Sequence, residues 1–205
     1  MIDSIASLRG LYAEPTERAR TKQLSRLDEH CLRFVGLSPF VVLASGSADG
    51  QYDASPRGGD PGFVKAPDAQ TLLIPDASGN NRLDTLQNII ATGRVGLLFL
   101  VPGVDETLRV NGRARLDTAP GLLAHFAGER RPPKLVIEIK VEDAYLHCAK
   151  AFMRSKLWGP ENRVERSALP TMGQMIGDQI GVPAAAVETQ EQMVARYKAE
   201  IQAVP

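Results

Sequence analysis

The chain has 205 residues, with 24 Lys or Arg against 24 Asp or Glu, so its formal charge is zero when the three histidines are neutral. Proteins that live on nucleic acid or anionic membrane carry a basic excess, because phosphate neutralisation supplies much of their affinity; this balance argues against both as partners. At 43% hydrophobic and 23% charged, the composition excludes disorder and fibrous folds for the bulk and suits one or two buried cores.

The first residues, Met1-Ile2-Asp3-Ser4-Ile5, hold no basic segment followed by an apolar stretch. The apolar runs stop well short of the roughly 18 residues of a membrane span. The expectation is a cytoplasmic protein. Two cysteines, Cys31 and Cys148, are too few for a disulfide framework and read as buried thiols in a reducing compartment.

From Pro15 to Phe34, apolar Leu24, Leu27, Cys31 and Phe34 recur at spacings of three and four, which predicts one amphipathic helix stopped by Leu37-Ser38-Pro39. A strand follows at Phe40 to Ser45, ending in the turn residues Gly46 to Gly50. Residues 51–70 are rich in glycine and proline and read as a loop that brings backbone close to something. Thr71-Leu72-Leu73-Ile74 is a short strand. The turn cluster from Asp76 to Asn81 then opens a helix over Arg82 to Ile90, with Leu83, Leu86, Ile89 and Ile90 on its apolar face.

Arg94 to Val101 and Thr107 to Leu116 predict an antiparallel strand pair joined by the turn Pro102-Gly103. A helix at Pro120 to Phe126 and a cleanly alternating strand at Leu135 to Val141 come next. The tail from Val187 to Ile201 sets Met193, Val194, Tyr197 and Ile201 on one helical face, as a docking or dimer helix would. Six or so short strands suit a small closed or partly open barrel of the mainly β class with flanking helices (α+β), antiparallel rather than parallel. No long linker divides the chain, so the expectation is a single domain over 1–205: helical at 1–36, a barrel at 37–160 and a helical extension at 161–205. A barrel this small is filled by side chains, which puts any ligand on its outside or at a subunit interface.

The residue inventory removes several chemistries. There is no Gly-x-Gly-x-x-Gly after a strand, no Gly-Lys-Ser/Thr phosphate loop and no Gly-x-Ser-x-Gly elbow. His30, His125 and His147 are scattered without metal-ligand spacing, so no metal site is expected. His147 and Cys148 are strand neighbours that point to opposite faces and do not form a nucleophile and base.

Two segments carry anion chemistry. Tyr52-Asp53-Ala54-Ser55-Pro56-Arg57-Gly58-Gly59 joins a hydroxyl, a guanidinium and glycines that let amide N–H groups approach an anion; the same residues also suit an ordinary turn with a solvated arginine. Gly79-Asn80-Asn81-Arg82-Leu83-Asp84 stands at the mouth of a helix, where free N–H groups and the dipole favour an anion, and where simple capping by Asn is the plainer alternative. Two arginines beside backbone donors suit one phosphate dianion. Further on, Arg154-Ser155-Lys156-Leu157-Trp158 sets the only tryptophan beside cations: a packing residue, or a cover for a flat anionic ligand.

The order of these segments, with Leu72-Leu73-Ile74-Pro75, Asn88-Ile89, Val95-Gly96-Leu97-Leu98-Phe99 and Glu106-Thr107-Leu108-Arg109-Val110-Asn111-Gly112, resembles the pyridoxamine 5′-phosphate oxidase-like, FMN-binding split-barrel superfamily. Over residues 35–160 it is similar to the branch grouped as probable FMN-dependent enzymes. The resemblance implies a homodimer of split barrels with one FMN in each of two interface clefts. By position it assigns Ser55, Arg57 and Gly58 to the segment beside the ribityl and phosphate groups, and Ile74 and Pro75 to the strand along the flavin. It matches Asn81 and Arg82 to a phosphate-binding Ser-Arg-Lys turn, Thr107 to a ring-contacting glutamine and Asn88 to the helix flanking the cleft. Arg154, Lys156 and Trp158 would come from the partner chain.

Two departures stand out. Leu83 occupies the place of the turn's lysine, and the C-terminal Arg-Leu-His-Asp-Arg segment of the vitamin B6 oxidases is missing. The implied function is hydride transfer through flavin N5 to or from a small soluble substrate, with no residue assigned as catalytic base. A flavin- or haem-binding protein without turnover and a dimeric scaffold with an empty cleft are the alternatives.

Overall fold

The computed structural model describes residues 1–76, 79, 81–183 and 188–202. Ala77, Ser78 and Asn80 of the expected Asn-rich turn, and Val187 at the expected start of the last helix, lie outside the described residues. The chain divides into two compact units, Met1–Ser155 and Lys156–Pro205.

The first unit is built on seven antiparallel strands: β1 (Phe40–Gly46), β2 (Tyr52–Gly58), β3 (Lys65–Asp68), β4 (Thr71–Pro75), β5 (Arg94–Leu100), β6 (Thr107–Asp117) and β7 (Val136–His147), in the order β2-β1-β5-β6-β7-β4-β3. The outermost strands each carry a proline, Pro56 in β2 and Pro67 in β3. This is the expected antiparallel architecture, with one strand more. The expected pair is present, with Leu97 opposite Val110 and Phe99 opposite Leu108.

Alternation makes the core. Val95, Leu97 and Phe99 point inward along β5, where they meet Val41 and Leu43 of β1 and Leu108 and Val110 of β6. Phe99 is fully buried, and its truncation to Ala is of the class that costs about 3–5 kcal/mol. Of the helices α1 (Ile5–Arg9), α2 (Glu17–Thr21), α3 (Glu29–Leu37) and α4 (Asp84–Thr92), the last two close this core, α3 with Cys31 and Val35 and α4 with Leu86 and Ile89. A smaller cluster of Leu73, Phe126 and Val136 is covered by Leu122 and Leu123 of the short helix α5 (Pro120–Leu123).

The structure departs from the sequence expectation in four places. The single helix expected over 15–34 is broken into a short turn of helix at Glu17–Thr21 and α3, because Leu24 pairs in a β-bridge with Ala144 and Asp28 caps a new helix by accepting the Cys31 N–H. The 51–70 loop contains β2 and β3; β2 pairs with all seven residues of β1 despite its Ser-Pro-Arg composition. The Leu135–Val141 strand runs on to His147, past a bulge facing Asn111 and Gly112. Cys148 is exposed and free, while Cys31 is buried and free.

In the second unit, helices at Met172–Ile180 and Gln190–Gln202 fall within the stretch expected to be helical, the second close to the helix expected from Val187 to Ile201. Thr171 and Gln174 form a reciprocal capping box at the former, and Gly181, at φ 72°, ends it.

Candidate functional site

Strand β2 turns Asp53, Ser55 and Arg57 toward the inner side of the sheet, at a rim where α4 packs against β1 and β2. Ser55 Oγ donates to Asp53 Oδ2 at 2.9 Å, and Thr85 in the first turn of α4 donates to the same oxygen at 2.7 Å while lying 3.0 Å from Ser55 Oγ. Arg57 reaches across the gap between β2 and β4 to Asp76, directly after Pro75, with 3.2 Å between Nη1 and Oδ1. Both side chains are 19% exposed. The Arg57 Nε is buried with no hydrogen-bond partner among the described residues.

The approach to α4 is unusual. Asn81 and Leu83 both hold left-handed backbone, at φ 58° and 62°, and Leu83 stands at the N-cap without a side-chain hydrogen bond to the helix. A leucine in that region is strained, and the first N–H groups of the helix lack the usual capping oxygen. Arg82 donates from Nε to Asp84 at 2.8 Å; that contact, and more weakly the charge of Asp53, raise its pKa above the ordinary arginine value. Arg57, Arg82 and the start of α4 thus belong to one cluster, opposed by Asp53, Asp76 and Asp84.

The other predicted site residues fall as follows. Gly58 closes β2 against Phe40. Ile74 is fully buried in the core, which leaves half-buried Pro75 at the strand end. Asn88 donates to Ser45 Oγ at 3.0 Å and ties α4 to β1. Thr107 is buried opposite His147, with β1 and β5 between its strand and β2. Arg154 is exposed at the end of the short helix Lys150–Ser155. Lys156 and half-buried Trp158 belong to the second unit, where Lys156 pairs with Glu161 at 3.4 Å.

Asp53, Asp76 and Thr85 are members that sequence reasoning did not assign. The period-two spacing of Asp53, Ser55 and Arg57 was the available signal, visible once the segment is read as a strand. An open groove of about 340 Å³ adjoins this rim at the Asp53–Ser45 rung, lined among others by Ser45, Tyr52, Arg94, Gly96, Asn111 and Glu142. Among the described residues, no group of three or more His, Cys, Asp or Glu side chains is arranged to hold a metal ion.

The family model described as pyridoxamine 5′-phosphate oxidase matches residues 27–148, more than half of the chain. The chain belongs to the pyridoxamine 5′-phosphate oxidase-like family. No curated protein matches it. Among solved structures, a variant of HupZ from Group A Streptococcus aligns at 18% identity and TM-score 0.50, covering 59% of this chain and 99% of that one. A candidate pyridoxamine 5′-phosphate oxidase from Lactobacillus delbrueckii aligns at 21% identity and TM-score 0.49, covering 60% and 98%. At 18% identity the HupZ likeness speaks to the fold alone.

Proposed function

We propose that the protein is an FMN-dependent oxidoreductase acting on a small soluble substrate, as a cytoplasmic homodimer with the flavin at the subunit interface. The observation that carries this reading is Arg57. A buried donor without an acceptor costs about 1–3 kcal/mol, and an anionic oxygen from a ligand at the β2 rim offsets that cost. The uncapped start of α4 adds backbone donors, and Arg82 a second cation, so the rim suits a phosphate monoester. With Leu83 in place of a lysine, Arg57 and Arg82 carry the neutralisation, and Asp76 holds Arg57 in position for it.

When bound, FMN supplies hydride transfer at its N5. The chain's own residues bind and orient: Ser55 and Thr85 fix Asp53, and Asn88 fixes α4 on β1. The dimer reading draws on the outer sheet face, where Val42, Leu98 and Leu100 are half-buried and Phe40 is exposed. The cytoplasmic reading draws on two free cysteines.

Protein purified from flavin-replete cells is expected to be yellow and to take up added FMN; no flavin absorbance and no uptake would sink the reading. Rapid reduction of the bound flavin by NADH or NADPH is expected in stopped flow, and inertness toward both would leave a binder without turnover.

A further inference from the structure

A second cationic cluster lies on the outer face of the sheet, away from the β2 rim. Arg109 on β6 is the cross-strand partner of Tyr145 on β7, and Thr107 is the partner of His147, so these four residues fall on two successive same-face positions of one strand pair. Lys22, in the segment that precedes the Leu24–Ala144 bridge, folds over the same strand and donates to the Leu146 carbonyl at 2.9 Å. Its Nζ and the Arg109 guanidinium each stand 5.3 Å from the centroid of the Tyr145 ring.

Three cationic or protonatable groups therefore converge, and among the described residues no carboxylate forms an ion pair with any of them. Among the described residues neither Lys22 nor Arg109 forms a salt bridge. The nearest acid on this face of β7, Asp143, accepts from Asn111 at 3.0 Å. His147 feels the crowding: burial first, then the charges of Lys22 and Arg109, hold its pKa below the ordinary imidazole value of 6.5. Gathering like charges around a half-buried tyrosine costs free energy unless an anion completes the set. Arg109 offers a planar fork for an oxyanion, Lys22 a point charge, and Thr107, a buried residue across the ladder from His147, a hydroxyl.

We propose that Lys22, Arg109 and His147, arranged around Tyr145, form a binding site for the oxyanion head group, carboxylate or phosphate, of a small organic ligand other than the flavin. Bound there, the anion pairs with both cations and favours the protonated imidazole. The site stands apart from the Arg57 and Arg82 cluster, and its test does not need flavin.

Proton NMR of the histidine C2–H resonances, with His147 assigned by its loss in His147→Gln, reads the site in the full-length protein. Sulfate is the probe, because it stays dianionic across the titration, compared with chloride at matched ionic strength. Sulfate is expected to raise the His147 pKa by about one unit while His30 and His125 stay still, and Arg109→Gln or Lys22→Gln is expected to abolish most of that rise. Equal movement of all three histidines, or none, would overturn the proposal. So would a response unchanged in both variants. Loading with FMN separates the two sources of an oxyanion: a sulfate response that survives saturation supports a ligand other than the flavin, and one that disappears as FMN binds overturns that assignment. If FMN does not bind at all, the flavin reading fails alone, and the sulfate response still decides this site.

Discussion

Single side chains decide the chemistry of the rim. Removing the Arg57 guanidinium deletes a charge-assisted contact worth about 1.5–3 kcal/mol, so Arg57→Ala is expected to weaken FMN binding tenfold or more in a fluorescence-quenching titration; unchanged affinity would take Arg57 out of the phosphate site. The two cysteines make a cleaner test of packing. Burial pushes the Cys31 thiol up to about 11, whereas Cys148 is exposed. Ellman's reagent at neutral pH is expected to find one thiol in the native protein and two after unfolding. Asp28 is held below its ordinary 3.8, chiefly because it accepts the Cys31 backbone N–H at the start of α3. Its folded value is depressed, so its contribution is complete above pH 3.8 and fades as the pH falls through the folded value. Asp28→Ala is expected to cost about 1 kcal/mol at pH 7 and less at acid pH, as measured by urea unfolding at both. At this scale the sequence was partly legible: Arg57 and Arg82 announce themselves beside Gly and Asn, but Asp76 looks like any turn residue until the strands bring it to Arg57.

At the scale of elements, what was legible is what burial writes into the pattern. Leu72-Leu73-Ile74 and Val95 to Leu100 are apolar because they cross the core, and both are strands. Strand β2 was not legible, because its outward residues Ala54 and Pro56 are exposed and its inward residues are the polar Asp53, Ser55 and Arg57 of the rim. The break in the N-terminal helix was invisible for a different reason: the spacing of Leu24 and Leu27 suits a helix, and only the distant Ala144 makes Leu24 a bridge residue. The β6–β7 bulge carries its own prediction. A Cβ on Gly112 would collide with the Lys140 carbonyl oxygen, so the backbone must shift to admit it. Gly112→Ala is expected to destabilise by about 2–4 kcal/mol, read as a fall in the urea midpoint; an unchanged midpoint would mean that the bulge yields freely.

For the molecule as a whole, every member of both buried clusters among the described residues lies at or before Ala144, within the first unit. A chain ending at Ser155 is therefore expected to melt within a few degrees of the full-length protein, and a collapse of its cooperative transition would show that residues 156–205 complete the fold. The dimer is checked by sedimentation equilibrium, which is expected to give twice the 22.2 kDa of one chain.

Pro56 and Pro67 have a consequence for life at high concentration. The ladder that joins β1 and β2 runs unbroken through the Val42–Pro56 pair, so the N–H that proline lacks is one a new strand outside β2 would have sought. The other outermost strand, β3, is only four residues long, with its own proline in the middle. A sheet with seven strands and two such borders offers no continuous row of donors to a stray chain, which guards the protein against edge-to-edge aggregation.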